Sequence, residues 1–64
     1  MAAPETNTRK IKRRLERDGW INQGGAKHDL FEHPEKLGRF IIVPRHRTIS
    51  IGVARGIAKD AGWK

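Results

Sequence analysis

Few residues in this 64-residue chain can move a proton near neutral pH: there are three histidines and no cysteine. His28 stands out by its setting. It follows Gly24-Gly25-Ala26-Lys27 and opens the run His28-Asp29-Leu30-Phe31-Glu32-His33-Pro34. A double glycine makes a flexible turn; a lysine and His28 follow it, leading into a short run that reads as a strand. An unperturbed histidine titrates near ~6.5, which suits general acid or general base work. RNA asks least of such a site, because it carries its own nucleophile. A base takes the proton of the 2′-hydroxyl, that oxygen attacks the adjacent phosphorus, and the 5′-oxygen leaves. Cations must then meet the charge that grows on the phosphoryl oxygens. Lys27 adjoins His28, and Arg45-His46-Arg47 offers more positive charge further on. A histidine beside a turn is also an ordinary solvated or capping residue, so its position alone does not make it catalytic.

The other two histidines read differently. His33 precedes Pro34 and reads as structural, bonding the hairpin loop. His46 lies between two arginines and reads as a phosphate contact more than as the acid–base partner of His28. A closed zinc site wants four ligands, and His28 and His33 fall on opposite faces of a regular strand. No Ser/His/Asp arrangement and no P-loop is present, and Gly24-Gly25 is not a dinucleotide-binding fingerprint. No metal and no cofactor is expected.

The charge balance speaks to partners. Fourteen Lys+Arg against seven Asp+Glu leave a formal net charge of +7. A polyanion is the obvious partner, with RNA or DNA leading and an acidic protein also possible. A membrane surface fits less well, because no stretch sets a strong apolar face against a basic one. The lack of cysteine suits a reducing compartment. The polar start Met1-Ala2-Ala3-Pro4-Glu5-Thr6 lacks the apolar core of a signal peptide, and no run approaches the ~20 apolar residues that span a bilayer. A cytoplasmic protein is expected.

The elements that must position His28 follow from periodicity. Residues 1–7 are expected to be a flexible segment ahead of one domain, residues 8–64. Thr8 is the expected N-cap of a helix over residues 9–18, with Gly19 at its C-terminal stop. Lys10, Arg13 and Arg17 recur at i, i+3 and i+7 and form one exposed basic stripe. Strands are expected over 20–23, 27–33 and 39–44, the last ended by Pro44. Ser50 caps a second helix over Ile51–Ala61, with Gly62 after it. Gly52 and Gly56 weaken that helix, and close packing on the sheet is the expected reason for them. The expected core is Ile11, Leu15, Trp20, Phe31, Ile41, Val43, Val53, Ala54, Ile57 and Ala61. The fold class is two-layer α+β, in the order α-β-β-β-α, with both helices on one face of a three-stranded antiparallel sheet. That order matches the double-stranded-RNA-binding domain, which does not by itself set a function.

Several short marks occur in one order. Asp18-Gly19-Trp20 ends the first helix, and Gly24-Gly25 leads to His28. Phe31 and His33-Pro34 follow, then Ile41-Ile42-Val43-Pro44, Ile51-Gly52 and Ala61-Gly62-Trp63. Together they resemble the HicA toxins of bacterial HicA–HicB toxin–antitoxin systems, over about residues 8–63. The resemblance implies a small, metal-independent RNA endonuclease (an mRNA interferase) with a double-stranded-RNA-binding-like fold. It implies that a single histidine at the start of the second strand, here His28, carries the activity as general base or acid. It further implies a HicB-type antitoxin that covers the active face, a monomeric free toxin and a hetero-oligomer with the antitoxin. Contacts to RNA, messenger RNA in the first place, are then expected from Lys27, Arg45, His46 and Arg47 and from the stripe Lys10, Arg13 and Arg17. Many members carry Gly-Ser before the histidine, where this chain has Ala26-Lys27. The alternative is a non-catalytic RNA-binding module that reads duplex RNA by shape and backbone. A small basic protein directed to an acidic protein is the third reading.

Overall fold

Helix α1 (Thr8–Arg17) begins one residue earlier than its sequence predicts. The computed structural model, which describes residues 3–63, gives the cap to Asn7, whose Oδ1 accepts from the Lys10 N–H at 3.1 Å. Both residue types cap well, and a tertiary acceptor decides between them. The Thr8 hydroxyl turns away from the helix and donates to the carbonyls of His46 and Arg47. The end of the preceding segment is paired too. Asn7 bridges Thr48, and the Ile49 N–H donates to the Thr6 carbonyl at 3.0 Å. Met1 and Ala2, the start of the segment expected to be flexible, lie outside the described residues.

The two helices end alike. In α1 the Trp20 N–H reaches back to the Leu15 carbonyl (2.9 Å) and the Gly19 N–H to Glu16 (3.1 Å), with Gly19 at φ 99°. In α2 (Ile51–Ala61) the Trp63 N–H reaches Ala58 (2.7 Å) and the Gly62 N–H reaches Lys59 (3.1 Å), with Gly62 at φ 79°. This is the paired closure that a left-handed residue after a helix permits. Each closure drops a tryptophan directly behind its helix. Trp63 Nε1 then donates to Asp18 at 2.8 Å and joins the two helix ends.

Strands β1 (Ile21–Gly24), β2 (His28–Glu32) and β3 (Phe40–Pro44) form one antiparallel sheet in the order β1-β2-β3. The expected α-β-β-β-α order and small α+β fold are borne out. Strand β1 lies one residue later than expected, β2 and β3 are shorter than expected, and β2 begins at His28. Helix α1 packs against β1 and β3, and α2 against β3. Alternation decides which residues meet the helices. Phe31, Ile41 and Val43 are buried with Ile11, Leu15, Trp20, Ala54, Ile57 and Ala61. Each large member contributes about 1.5–3 kcal/mol of burial free energy. Cross-strand partners share a face, so the opposite, open face carries Ile21 with Glu32 and Phe40, Leu30 with Ile42, and His28 with Pro44.

Two expectations about α2 are corrected. Val53 is 43% exposed and lies outside the core. The buried residues Ala54, Ile57 and Ala61 recur at i, i+3 and i+7, and Val53 sits 100° round from Ala54, beyond the covered stripe. Nor do the helix glycines mark a close approach to the sheet. A Cβ at Gly56 would meet nothing within 4 Å, and one at Gly52 only the Ser50 hydroxyl at 4.0 Å. Gly56→Ala is therefore expected to raise stability by about 1 kcal/mol, through helix propensity and a less flexible unfolded chain. Urea unfolding measures this, and an unchanged or lower midpoint would contradict it.

Candidate functional site

His28 is exposed on the open face at the first position of β2, paired in the ladder with Pro44. The turn before it is held locally. A bulge falls between Asn22 and Gly24, where the Asn22 Oδ1 accepts from the Gly24 N–H at 2.7 Å and Gly24 takes φ 78°. Gly25 has a steric role of its own, because a Cβ there would collide with the His28 carbonyl oxygen. The turn thus folds onto the backbone of the residue it presents. Lys27 is exposed within this turn.

One residue further on, the chain faces the other way. The Asp29 side chain points to the covered face and is 8% exposed. A carboxylate there needs partners, since an isolated charge out of water is costly. Lys12 Nζ of α1 lies 3.1 Å from its Oδ2, and Arg45, just past β3, approaches Oδ1 at 3.3 Å. Burial works to raise the Asp29 pKa. The hydrogen bonds from Lys12, Asn22 and Arg45, with the Lys12 charge, outweigh it and hold the pKa below its ordinary 3.8. Asp29 therefore joins the first helix, the central strand and the loop after β3.

Around that junction lies a cleft of about 660 Å³, walled by Arg9, Lys12, Arg45, His46 and Arg47 with Asp29 at its base. The sequence-predicted cations are thereby sorted. Arg45, His46 and Arg47 gather in the cleft, while His28 stands at the same end of the sheet on the open side, with Lys27 exposed in the turn before it. Lys10, Arg13 and Arg17 line a separate groove on α1 with Arg14, whose guanidinium lies 4.3 Å from the Trp63 ring centre. Arg9, Lys12 and Asp29 were not among the expected site residues. Asp29 had a signal in the sequence: strict alternation puts it on the same face as Phe31, where a carboxylate requires a cation.

His33 is buried and structural, as its place before Pro34 suggests. Its Nδ1 accepts from the Glu35 N–H at 3.1 Å, which leaves Nε2 to donate to the Asp18 carbonyl at 3.1 Å. Trp20 meets the ring edge-on at 5.2 Å, and a Cβ at Gly19 would lie 2.8 Å from Nε2. Among the described residues no group of three or more His, Cys, Asp or Glu is placed to hold a metal ion. No helix among them is long and apolar enough to cross a membrane.

Two outcomes follow. His33→Ala removes both bonds and leaves a cavity, at a cost on the order of 2–3 kcal/mol in chemical denaturation. A loss under about 0.5 kcal/mol would show that the loop closes without it. For Asp29 the folded pKa is depressed. Its contribution is complete above the ordinary 3.8 and is lost as pH falls through the lower folded value. Asp29→Asn should be less stable than the wild type at neutral pH, and the gap should close in acid. Melting curves recorded against pH would show a constant gap if the carboxylate charge contributed nothing.

Compared with the curated proteins, the chain finds no match. A family model does match it, that of the HicA toxin of bacterial toxin–antitoxin systems, over residues 8–63. That span runs from the first residue of α1 to the tryptophan behind α2 and includes the turn, His28 and the cation-lined cleft. The chain belongs to the HicA toxin family.

Proposed function

We propose that this toxin is a metal-independent RNA endonuclease, an mRNA interferase, with His28 at its centre. The observation that carries the reading is the setting of His28 within a HicA chain. It is an exposed imidazole on the end of a central strand, with Lys27 before it and Arg45 following its ladder partner Pro44. His28 acts as general base or general acid. As base it takes the 2′-hydroxyl proton while the 2′-oxygen bonds to phosphorus and the bond to the 5′-oxygen breaks. The 5′-oxygen leaves with a proton from solvent or a second group, and a 2′,3′-cyclic phosphate remains on the other fragment. His46 lines the cleft behind the sheet, on the side away from the open face. That location favours a phosphate contact over a partnership with His28. Lys27, Arg45 and Arg47 supply cations to the RNA backbone.

The toxin–antitoxin family implies a neutralising protein, which we take to be of HicB type. The open sheet face suits it. Ile21, Phe40 and Ile42 are each more than half exposed on the face that also carries His28, with Ile42 the nearest of them along the ladder. Exposed apolar side chains gathered on one face mark an interaction surface, and a protein seated on them would also bury the imidazole. The same fold suits a second reading, a non-catalytic module that binds duplex RNA by shape.

The deciding experiment is cleavage of RNA by the purified chain in excess EDTA, wild type beside His28→Ala. Because the His28 side chain is exposed, the variant is expected to melt at the wild-type temperature. Cleavage by the wild type alone is expected. Equal cleavage by both would remove His28 from the chemistry. No cleavage by either, with salt-sensitive duplex binding retained, would favour the binding module.

A further inference from the structure

The cleft between α1 and residues 45–47 is not explained by His28, which stands on the other side of the sheet. Four cationic side chains, Arg9, Lys12, Arg45 and Arg47, face one carboxylate there. Asp29 takes up part of the charge of Lys12 and Arg45 and fixes where their nitrogens lie. Arg9 and Arg47 form no ion pair among the described residues. The backbone of the 45–47 loop is turned inward. The carbonyls of His46 and Arg47 accept from the Thr8 hydroxyl, and Arg47 also accepts from the Thr8 N–H at 3.0 Å. With its carbonyls bound to α1, the loop presents its side chains to the cleft. The first turn of α1 opens into the same space, adding the positive end of a helix dipole.

We propose that this cleft is a subsite for a backbone phosphate of the RNA, on the same strand as the phosphate presented to His28. Arg9, Lys12, Arg45 and Arg47 contact the phosphate, and Asp29 is a positioning residue that acts through Lys12 and Arg45. The inference rests on the RNA-cleavage reading for its substrate. Continuity favours RNA over an acidic protein. Asp29 follows His28 directly, and Arg45 follows the residue paired with His28. A strand that places a scissile bond at His28 thus rounds the end of β2 and β3 into the cleft. Guanidinium groups from α1 and from the 45–47 loop, with an ammonium held by Asp29, match the spread oxygens of a phosphodiester.

The test separates binding from cutting. A fully 2′-O-methylated single-stranded RNA lacks the nucleophile, so its binding can be followed by fluorescence anisotropy at several salt concentrations. Lys12→Gln and Arg9→Gln are each expected to weaken binding about tenfold and to lower the slope of log affinity against log salt by about 0.7. Arg55→Gln, on the exposed side of α2, is the charge-matched control and should change the slope far less. Arg9→Gln breaks no ion pair, so it remains informative if Lys12→Gln unfolds. On cleavable RNA, Arg9→Gln should raise KM with kcat retained. A wild-type slope in both cleft variants overturns the proposal. In that case, weaker binding of purified antitoxin by the same variants would assign the cleft to the protein partner. If the slopes fall as expected but His28→Ala still cuts RNA, the subsite stands and the catalytic role of His28 fails.

Discussion

The carboxylate of Asp29 is where three parts of the chain meet. It projects from the central strand into the covered side of the sheet, where an unpaired ion would cost several kcal/mol. Lys12 comes to it from the first helix and Arg45 from the end of the third strand. The helix is thereby held at one position along the sheet, and the loop after β3 is held against the helix. Thr8 secures the same junction from the backbone side, through the carbonyls of residues 46 and 47. The outcome is a loop whose polar backbone is bound and whose basic side chains are displayed.

At the far end of α1 the joint is aromatic. Two helices finish in the same glycine–tryptophan closure, and the second tryptophan bonds to Asp18, the residue that caps the first helix. Arg14 lies over its ring. His33 binds the adjoining Asp18 carbonyl from the β2–β3 loop. In a domain this small, with no disulfide to help, a modest core needs such joints at its edges. They also divide the molecule by purpose. The helix-covered face carries the packing, and the open face can carry His28 and exposed apolar side chains because the fold does not depend on them.

Much of this was legible beforehand. The apolar periods placed both helices and all three strands, and the bounds of α2 agree with its caps at Ser50 and Gly62. Nine of the ten expected core residues are buried, since strand alternation and helical spacing are local properties. Val53 failed because it lies past the edge of the stripe of Ala54, Ile57 and Ala61 that the sheet covers. The N-cap failed because Asn7 and Thr8 are equivalent to the helix, and a distant loop chose between them. The helix glycines looked like packing sites, but the space around them is empty.

The sequence by itself determined the fold class, the strand that carries His28 and the family, because these rest on local periodicity and on the order of short motifs. Alternation alone does not fix the face of the sheet on which His28 stands, since a bulge beside the turn can invert it. The ladder with Pro44 settled it. Tertiary structure alone decided which cations gather. Lys10, Arg13 and Arg17 read as the basic stripe, yet Arg9 and Lys12 are the α1 residues that join Arg45, His46 and Arg47. The reason is the buried charge on β2. A carboxylate on the covered face draws the nearest cations of two other elements, and which are nearest depends on how the helix lies across the sheet.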